Sequence, residues 1–338
     1  MTSKLFNNPE TISLISPEIL IQYAQTNFDG LALAIFAYQY SACAIYQRYC
    51  NLLSVTPNHV KHLSQIPFLP ISFFKTHYVV SGTNINIAKP FESSGTTRST
   101  TSKHYVADLT LYRHIALHGF SQFFGDMEQY AILALLPSYL ERNNSSLVYM
   151  VNDWMNASGN AHNGFYLHNH QELNQKLSQL AATGVKTILI GVTFALLDFL
   201  EIFPQTHSQF TIIETGGMKG RKEEWTRQQV HQYIQAQCPN AYIRSEYGMT
   251  ELLSQAYTSG NAYFKGISTL KCLVRDTNSP LDVAEQGAGA LNIIDLANIH
   301  SCSFIATEDL GHVAQDGSFS VLGRIDHTDL RGCSLLTV

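Results

Sequence analysis

Charge is scarce in this 338-residue chain: Asp, Glu, Lys and Arg make up 14% of it, against roughly 25% in an average soluble protein. Uncharged Ser, Thr, Asn and Gln must therefore cover much of the surface. The 21 Lys+Arg residues form no basic block and are outnumbered by 26 Asp+Glu, leaving a net charge of −5. That argues against a nucleic-acid or anionic-membrane partner and favours a small molecule or another protein. Long apolar runs are also missing, because 31–38, 131–136 and 188–200 are short or broken by Gly191, Thr193 and Asp198. The opening stretch from Met1 to Pro9 lacks the apolar centre of a signal peptide, so neither secretion nor a membrane span is expected. Six cysteines, Cys43, Cys50, Cys238, Cys272, Cys302 and Cys333, form no CxxC pair, which suits reduced thiols in a cytoplasm. No Walker A loop, GxGxxG fingerprint or GxSxG elbow occurs.

What is present is enough apolar material for real cores, 45% of the chain, in one large or two ordinary domains. From Ser16 to about Gln65 the pattern reads as helical: Ser16 caps a helix with Pro17 in its first turn, Asp29 caps a second, and Thr56-Pro57 starts a third. Pro67 and Pro70 end this layer, and 73–80 begins an extended region. Asp108 then caps a helix reaching about Phe124. From there strand-like and helix-like segments alternate: 131–136 with 145–155, 164–167 with 171–182, 187–190 with 194–203, 210–213 with 222–237, and 241–245 with 250–256. Repeated βα units of this length require a mostly parallel sheet covered by helices, with ligands at the carboxyl ends of the strands. After about Asn261 short alternating segments and turns predict a β-rich, barrel-like subdomain. The expected division is 1–260, helical layer and α/β core, and 261–338, β-rich part and tail.

Four constellations carry chemistry. In the first, Ser93-Ser94-Gly95-Thr96-Thr97-Arg98-Ser99-Thr100-Thr101-Ser102-Lys103, a glycine among small hydroxyls with Arg and Lys nearby makes a phosphate cradle or, on composition alone, a Ser/Thr-rich surface loop. The second, Glu214-Thr215-Gly216-Gly217-Met218, puts paired glycines after a strand, where a flat ligand can approach the backbone or the chain simply turns. In the third, Ser245-Glu246-Tyr247-Gly248-Met249-Thr250-Glu251, Tyr247 suits a base, Thr250 a phosphate and Glu251 a Mg²⁺ ion, while helix capping explains Thr250 and Glu251 equally well. The fourth runs from Thr307-Glu308-Asp309-Leu310-Gly311 to Leu322-Gly323-Arg324-Ile325-Asp326 and Arg331-Gly332-Cys333; Asp309 suits a ribose diol and Arg324 a phosphate or ribose oxygen. His114 and His118 have helical spacing that suits a metal, but no Glu follows His114 as in a zincin.

In order along the chain, SSGTTxS, TGGM, YGMTE, TEDLG and GRIDxxDLRG resemble the adenylate-forming superfamily. SSGTTRSTTSKHYV, LPSYLERNNSSLVYM and the DLRGCSLL ending resemble, more narrowly, the LuxE-type acyl-protein synthetases. The resemblance implies the large-domain fold of those enzymes, α/β with mostly parallel sheets, helices on them and a β-rich subdomain. It implies ATP and Mg²⁺ as cofactors. Ser94, Gly95, Thr96, Thr97 and the loop to Lys103 would hold phosphates; Gly216 and Gly217 would line the adenine, and Tyr247, followed by Gly248, would stack on it. Thr250 would touch the α-phosphate, Glu251 would hold Mg²⁺, Asp309 would bind the ribose, and Arg324 would contact ribose or phosphate. Lys103, Thr250 and Cys333 would act in the chemistry.

The implied reaction converts a carboxylic acid, a fatty acid by the narrower resemblance, into an acyl-adenylate. The acyl group then passes to a protein thiol, Cys333 first, and onward to an acyl reductase subunit or another acceptor protein. Transfer to CoA or a carrier-protein thiol, or a non-catalytic nucleotide- or acyl-binding role, are the alternatives. Three departures mark this chain: Arg98 replaces a usual glycine, the 326–332 stretch is a residue short and lacks a usual Lys, and the sequence stops at Val338, where relatives continue into a small lid domain. The lid is therefore expected to be absent, with Lys103 or a partner standing in for its lysine.

Overall fold

A computed structural model describes residues 9–83, 85–93, 101–137, 141–206, 209–216, 225–260 and 262–325. Helices α1 (Pro17–Thr26), α2 (Phe28–Ala42) and α3 (Ala44–Leu52) form the first layer. Ser16 caps α1 as expected, but α2 is capped by Asn27, whose Oδ1 accepts the Gly30 amide at 3.2 Å. Asp29 lies one step inside, where the helix dipole favours a carboxylate, and pairs instead with Lys271 at 2.7 Å. The third helix does not start at Thr56-Pro57. It starts after a bend of 101° at Cys43, where the Gly82 amide takes the Ala42 carbonyl and ends α2 without any glycine or proline in the bend. Residues 73–80 are not extended throughout; Phe73–Thr76 is a helical turn following the two-residue strand β1 (Leu69–Pro70).

The candidate phosphate loop is bracketed by a separate hairpin, β2 (Lys89–Glu92) and β3 (Lys103–Val106). Asp108 caps α4 (Leu109–Phe124) through the Thr110 and Leu111 amides. The alternation then unfolds as β4 (Tyr130–Leu135), α5 (Ser146–Ser158), β5 (Gly164–Phe165), α6 (His170–Thr183), β6 (Lys186–Val192), α7 (Thr193–Ile202), β7 (Thr211–Thr215), α8 (Arg227–Gln237) and β8 (Tyr242–Tyr247). These five strands are parallel, in the order β5-β4-β6-β7-β8.

Both faces of this sheet are covered, which is why its strands read as apolar runs rather than alternations. Ile132, Ala134, Ile188, Ile190 and Ile213 pack with Leu111, Ile115 and Trp154 of α4 and α5. Their strand neighbours Leu133, Leu135, Leu189 and Ile212 pack on the other face with Leu173, Leu177, Leu196, Phe199 and Ile234 of α6 to α8.

No helix occupies 250–256. The chain turns and re-enters the sheet as β9 (Ala256–Thr258), antiparallel to β8. Strands β10 (Phe264–Gly266), β11 (Leu270–Arg275), β12 (Val283–Ala284), β13 (Gly287–Asp295), β14 (Phe304–Val313) and β15 (Phe319–Arg324) follow, paired antiparallel in the order β12-β11-β13-β14-β15-β10. Thus the α/β core and the β-rich part share a single 13-stranded sheet, β1 joining it beside β14. Among the described residues no single helix is long and apolar enough to cross a membrane.

Candidate functional site

The carboxyl ends of β6, β7 and β8 are in register, with Val192 beside Thr215 beside Glu246 and Gly191 beside Glu214 beside Ser245. Because adjacent strand residues leave on opposite faces, two polar groupings result. On one face the Thr215 hydroxyl donates to Glu246 Oε2. On the other, Glu214 accepts from Thr193 Oγ1 at 2.7 Å and from Arg227 of α8 at 3.1 Å. His231 of α8 meets the Ser245 hydroxyl at 2.7 Å, and the Arg227 guanidinium lies 4.2 Å from the Phe264 ring centre. Burial pushes the Glu246 carboxyl up to about 7, helped by the charge of Glu214 and opposed by the Thr215 hydroxyl and Arg227. A Cβ at Gly248 would crowd the end of the Glu246 side chain, so the glycine leaves that carboxyl its present position.

Tyr247 ends β8 with its ring buried between Phe264 and Phe319. Its hydroxyl donates to Asp309 Oδ2 at 2.8 Å, and Arg324, cross-strand partner of Asp309, donates through Nε to Oδ1 at 3.1 Å. Burial, reinforced by the Asp309 charge, holds the Tyr247 hydroxyl well above its ordinary range, so it remains a donor. Asp309 is buried, while most of the Arg324 side chain is exposed.

The turn after Gly248 is set by Asp295 at the end of β13. Its Oδ2 accepts the Leu253 and Ser254 amides at 2.7 and 2.9 Å, and its Oδ1 accepts the Ser254 hydroxyl at 2.6 Å and the Ala297 amide at 3.0 Å. These long-range bonds hold 250–254 out of a helix. Thr250 and Glu251 therefore cap nothing, and helix capping does not account for them. Asn298 donates to the Glu251 carbonyl at 2.8 Å. The Glu251 side chain is buried, and burial pushes its carboxyl up against the opposing pull of the Ser102 hydroxyl, Arg324 and Lys75.

The fold thus brings Tyr247, Asp309, Arg324 and Glu251 into one neighbourhood. Lys103 stands at the start of β3 facing Glu92 across the hairpin at 3.5 Å, and Asn144 donates to the other oxygen of Glu92 at 2.8 Å. Gly216 follows β7, and a Cβ on it would meet nothing within 4 Å. Ser94, Gly95, Thr96, Thr97, Gly217 and Cys333 lie outside the described residues. His114 and His118 face away from each other's ligands, the one beside Glu18 at 3.4 Å and the other on Ser268 at 2.9 Å. Among the described residues no group of three or more His, Cys, Asp or Glu side chains is arranged to hold a metal.

Reading the sequence for function overlooks Arg227, His231, His104 and Asp295. A usable signal exists for Asp295, an acid following the apolar pair Ile293-Ile294, since a carboxylate at the end of a buried strand needs donors. Arg227 and His231 lie four apart on a helix and carry no comparable mark.

A family model described as acyl-protein synthetase, LuxE, matches residues 22–337. Comparison with curated proteins gives no match. Among solved structures, the chain is similar to the luciferase-like enzyme from the nonluminescent mealworm Zophobas morio, at 15% identity and a TM-score of 0.49 over 73% of this chain. It is also similar to O-succinylbenzoate coenzyme A synthetase from Bacillus subtilis in complex with AMP, at 14% identity and a TM-score of 0.49 over 72% of this chain. The chain spans 60% and 64% of the lengths of those two structures.

Proposed function

We propose that this chain, which belongs to the LuxE acyl-protein synthetase family, activates a carboxylic acid with ATP and passes the acyl group to a protein cysteine. The substrate is a fatty acid in the first instance. Its carboxylate oxygen bonds to the α-phosphorus of ATP as pyrophosphate leaves; a thiolate then bonds to the acyl carbon as AMP leaves. The observation that carries the reading is the hydrogen-bonded trio Tyr247, Asp309 and Arg324, with Glu251 within electrostatic reach of Arg324, in a chain matched to that family over residues 22–337.

The donor chemistry suits the substrate. A carboxylate offers about four lone-pair directions, and Asp309 spends one on Tyr247 and one on Arg324, leaving acceptors for two vicinal hydroxyls of a ribose. Arg324 keeps further guanidinium donors for ribose or phosphate oxygens. Glu251 is a single hard oxygen donor, the number Mg²⁺ commonly takes from protein when phosphates supply the rest. When bound, Mg²⁺ would neutralise charge developing on the phosphates. Lys103 and the 94–97 segment, with Thr250, would hold the phosphates in line for attack, and Gly216 and Gly217 would leave room for the adenine beside Tyr247 and Gly248.

The first acyl acceptor is Cys333. The other five cysteines are free and buried, and burial drives each thiol away from the reactive thiolate, Cys50 to about 12 and Cys238 to about 11. A downstream acyl reductase or another acceptor protein would take the group from Cys333, in a cytoplasm that keeps the thiols reduced.

The test is ATP–pyrophosphate exchange across carboxylic acids of increasing length, with acyl labelling of the protein. Acid-dependent exchange with label on the protein is expected. AMP release that depends on added CoA or carrier protein would replace the acceptor, and nucleotide binding without exchange for any acid would overturn the catalytic reading.

A further inference from the structure

The turn bearing Thr250 and Glu251 is held from one side by Asp295 and Asn298. From the other side it is held by β3. His104 of β3 is buried, and its Nδ1 lies 3.0 Å from the Thr250 carbonyl oxygen. Its Nε2 lies 2.9 Å from the Ser301 hydroxyl, and Phe74 packs edge-on against the ring at 5.8 Å. A carbonyl can only accept, so Nδ1 carries the hydrogen. Burial pushes the imidazole down to about 4, so near neutral pH the ring has one proton, Nε2 is bare, and Ser301 donates to it. The remaining space beside the ring, bordered by Asp108, Asn298 and His300, is about 10 Å³, no more than a single water occupies. Ser102, two residues earlier and so on the same side of an extended chain, is buried, and its hydroxyl draws the Glu251 carboxyl down against the effect of burial.

We infer that His104 is a positioning residue for the nucleotide, fixing the turn that carries Thr250 and Glu251 to the hairpin β2–β3 through one tautomer of a neutral ring. The inference rests on the proposed function, because it assigns Thr250 and Glu251 to ATP and Mg²⁺. Without the Nδ1 bond, the two residues keep their fold but lose their alignment with the hairpin that faces them. The ring itself never touches the reacting atoms.

The test uses the full chain and three proteins. His104→Phe keeps the ring's packing and removes both hydrogen bonds, whereas His104→Asn returns an amide donor near the position of Nδ1. Equilibrium binding of Mg·ATP should weaken roughly threefold to tenfold in His104→Phe, the range one hydrogen bond is worth, and recover most of the way in His104→Asn. In pyrophosphate exchange the KM for ATP should rise while kcat holds. Unchanged affinity in His104→Phe, or equal losses in both variants, overturns the inference and leaves the proposed function standing. Failure of the wild-type chain to bind Mg·ATP overturns both. Should His104→Phe not fold, the ¹⁵N shifts of wild-type His104 decide the matter: a proton on Nδ1 is expected, and one on Nε2 overturns the assignment.

Discussion

Tyr247 and Asp309, 62 residues apart in the chain, meet in a buried hydrogen bond of 2.8 Å that joins the last parallel strand to the antiparallel part of the sheet. The bond does two things at once. It satisfies a carboxylate that would otherwise be buried with Arg324 as its single partner, and it fixes which way that carboxylate faces. The end of β8 and the Asp309–Arg324 cross-strand pair therefore behave as one rigid unit, although they come from sequence motifs with no visible connection.

Replacing Tyr247 by Phe tests that unit. The ring still fits between Phe264 and Phe319, but Asp309 Oδ2 loses its donor. Leaving a buried acceptor unpaired costs about 1–3 kcal/mol, so the urea midpoint should fall with the slope unchanged. ATP affinity should fall with it. A variant as stable as wild type would show that water replaces the hydroxyl at no cost.

Asp295 is the acid on which the neighbouring turn depends. In Asp295→Ala the Leu253, Ser254 and Ala297 amides and the Ser254 hydroxyl all lose their acceptor. Even with partial rescue by water, a loss on the order of 3 kcal/mol is expected. Amide hydrogen exchange at Leu253 and Ser254 should accelerate before that of the β4 and β6 core strands. Uniform acceleration across the sheet would mean that the residue supports the whole fold rather than this turn.

Much of this molecule is legible from local sequence. Strands β4 and β6 announce themselves because burial on both faces leaves their centres, 131–135 and 188–190, continuously apolar, and Ser16 and Asp108 announce α1 and α4 because a capping oxygen bonds amides two or three residues on. What local reading misses is decided at a distance. The bend at Cys43 is closed by Gly82, and the 250–254 turn is held by Asp295, 41 residues beyond Ser254, so no nearby residue marks either. The same holds for the site. Tyr247, Glu251, Asp309 and Arg324 can each be picked out in its own motif, but sheet register decides that Asp309 faces Arg324, and the pairing of β7 with β8 puts Thr215 beside Glu246.

Glu246 should leave a mark on the pH dependence of stability. Its folded carboxyl titrates at about 7, above the ordinary 4.5, chiefly because it is buried. Between those values the folded chain holds a proton that the unfolded chain releases, so this group's contribution is fully present below about 4.5 and is lost as pH rises to 7. Glu246→Gln keeps an acceptor for the Thr215 hydroxyl and cannot ionise. Relative to wild type, the variant should gain stability as pH rises from 5 to 7, at about 1 kcal/mol per unit of pH, and the gain should level off above. A constant difference across that window would show that Glu246 titrates normally.

Cys333 carries the last prediction, and it separates the two halves of the proposed reaction. Forming the adenylate needs the carboxylate, ATP and the groups around Asp309 and Glu251; it needs no thiol. Cys333→Ala should therefore leave acid-dependent pyrophosphate exchange intact and abolish acyl label on the protein. Cys333→Ser adds a finer distinction, because a serine hydroxyl is a far weaker nucleophile near neutral pH, while an ester, once made, resists hydroxylamine better than a thioester. Trace label on Cys333→Ser that survives neutral hydroxylamine, against wild-type label that is released by it, would place the acyl group on residue 333. Undiminished, hydroxylamine-sensitive label on Cys333→Ala would instead move the acceptor to another thiol of this chain. The burial of the other five makes that the outcome least compatible with the structure.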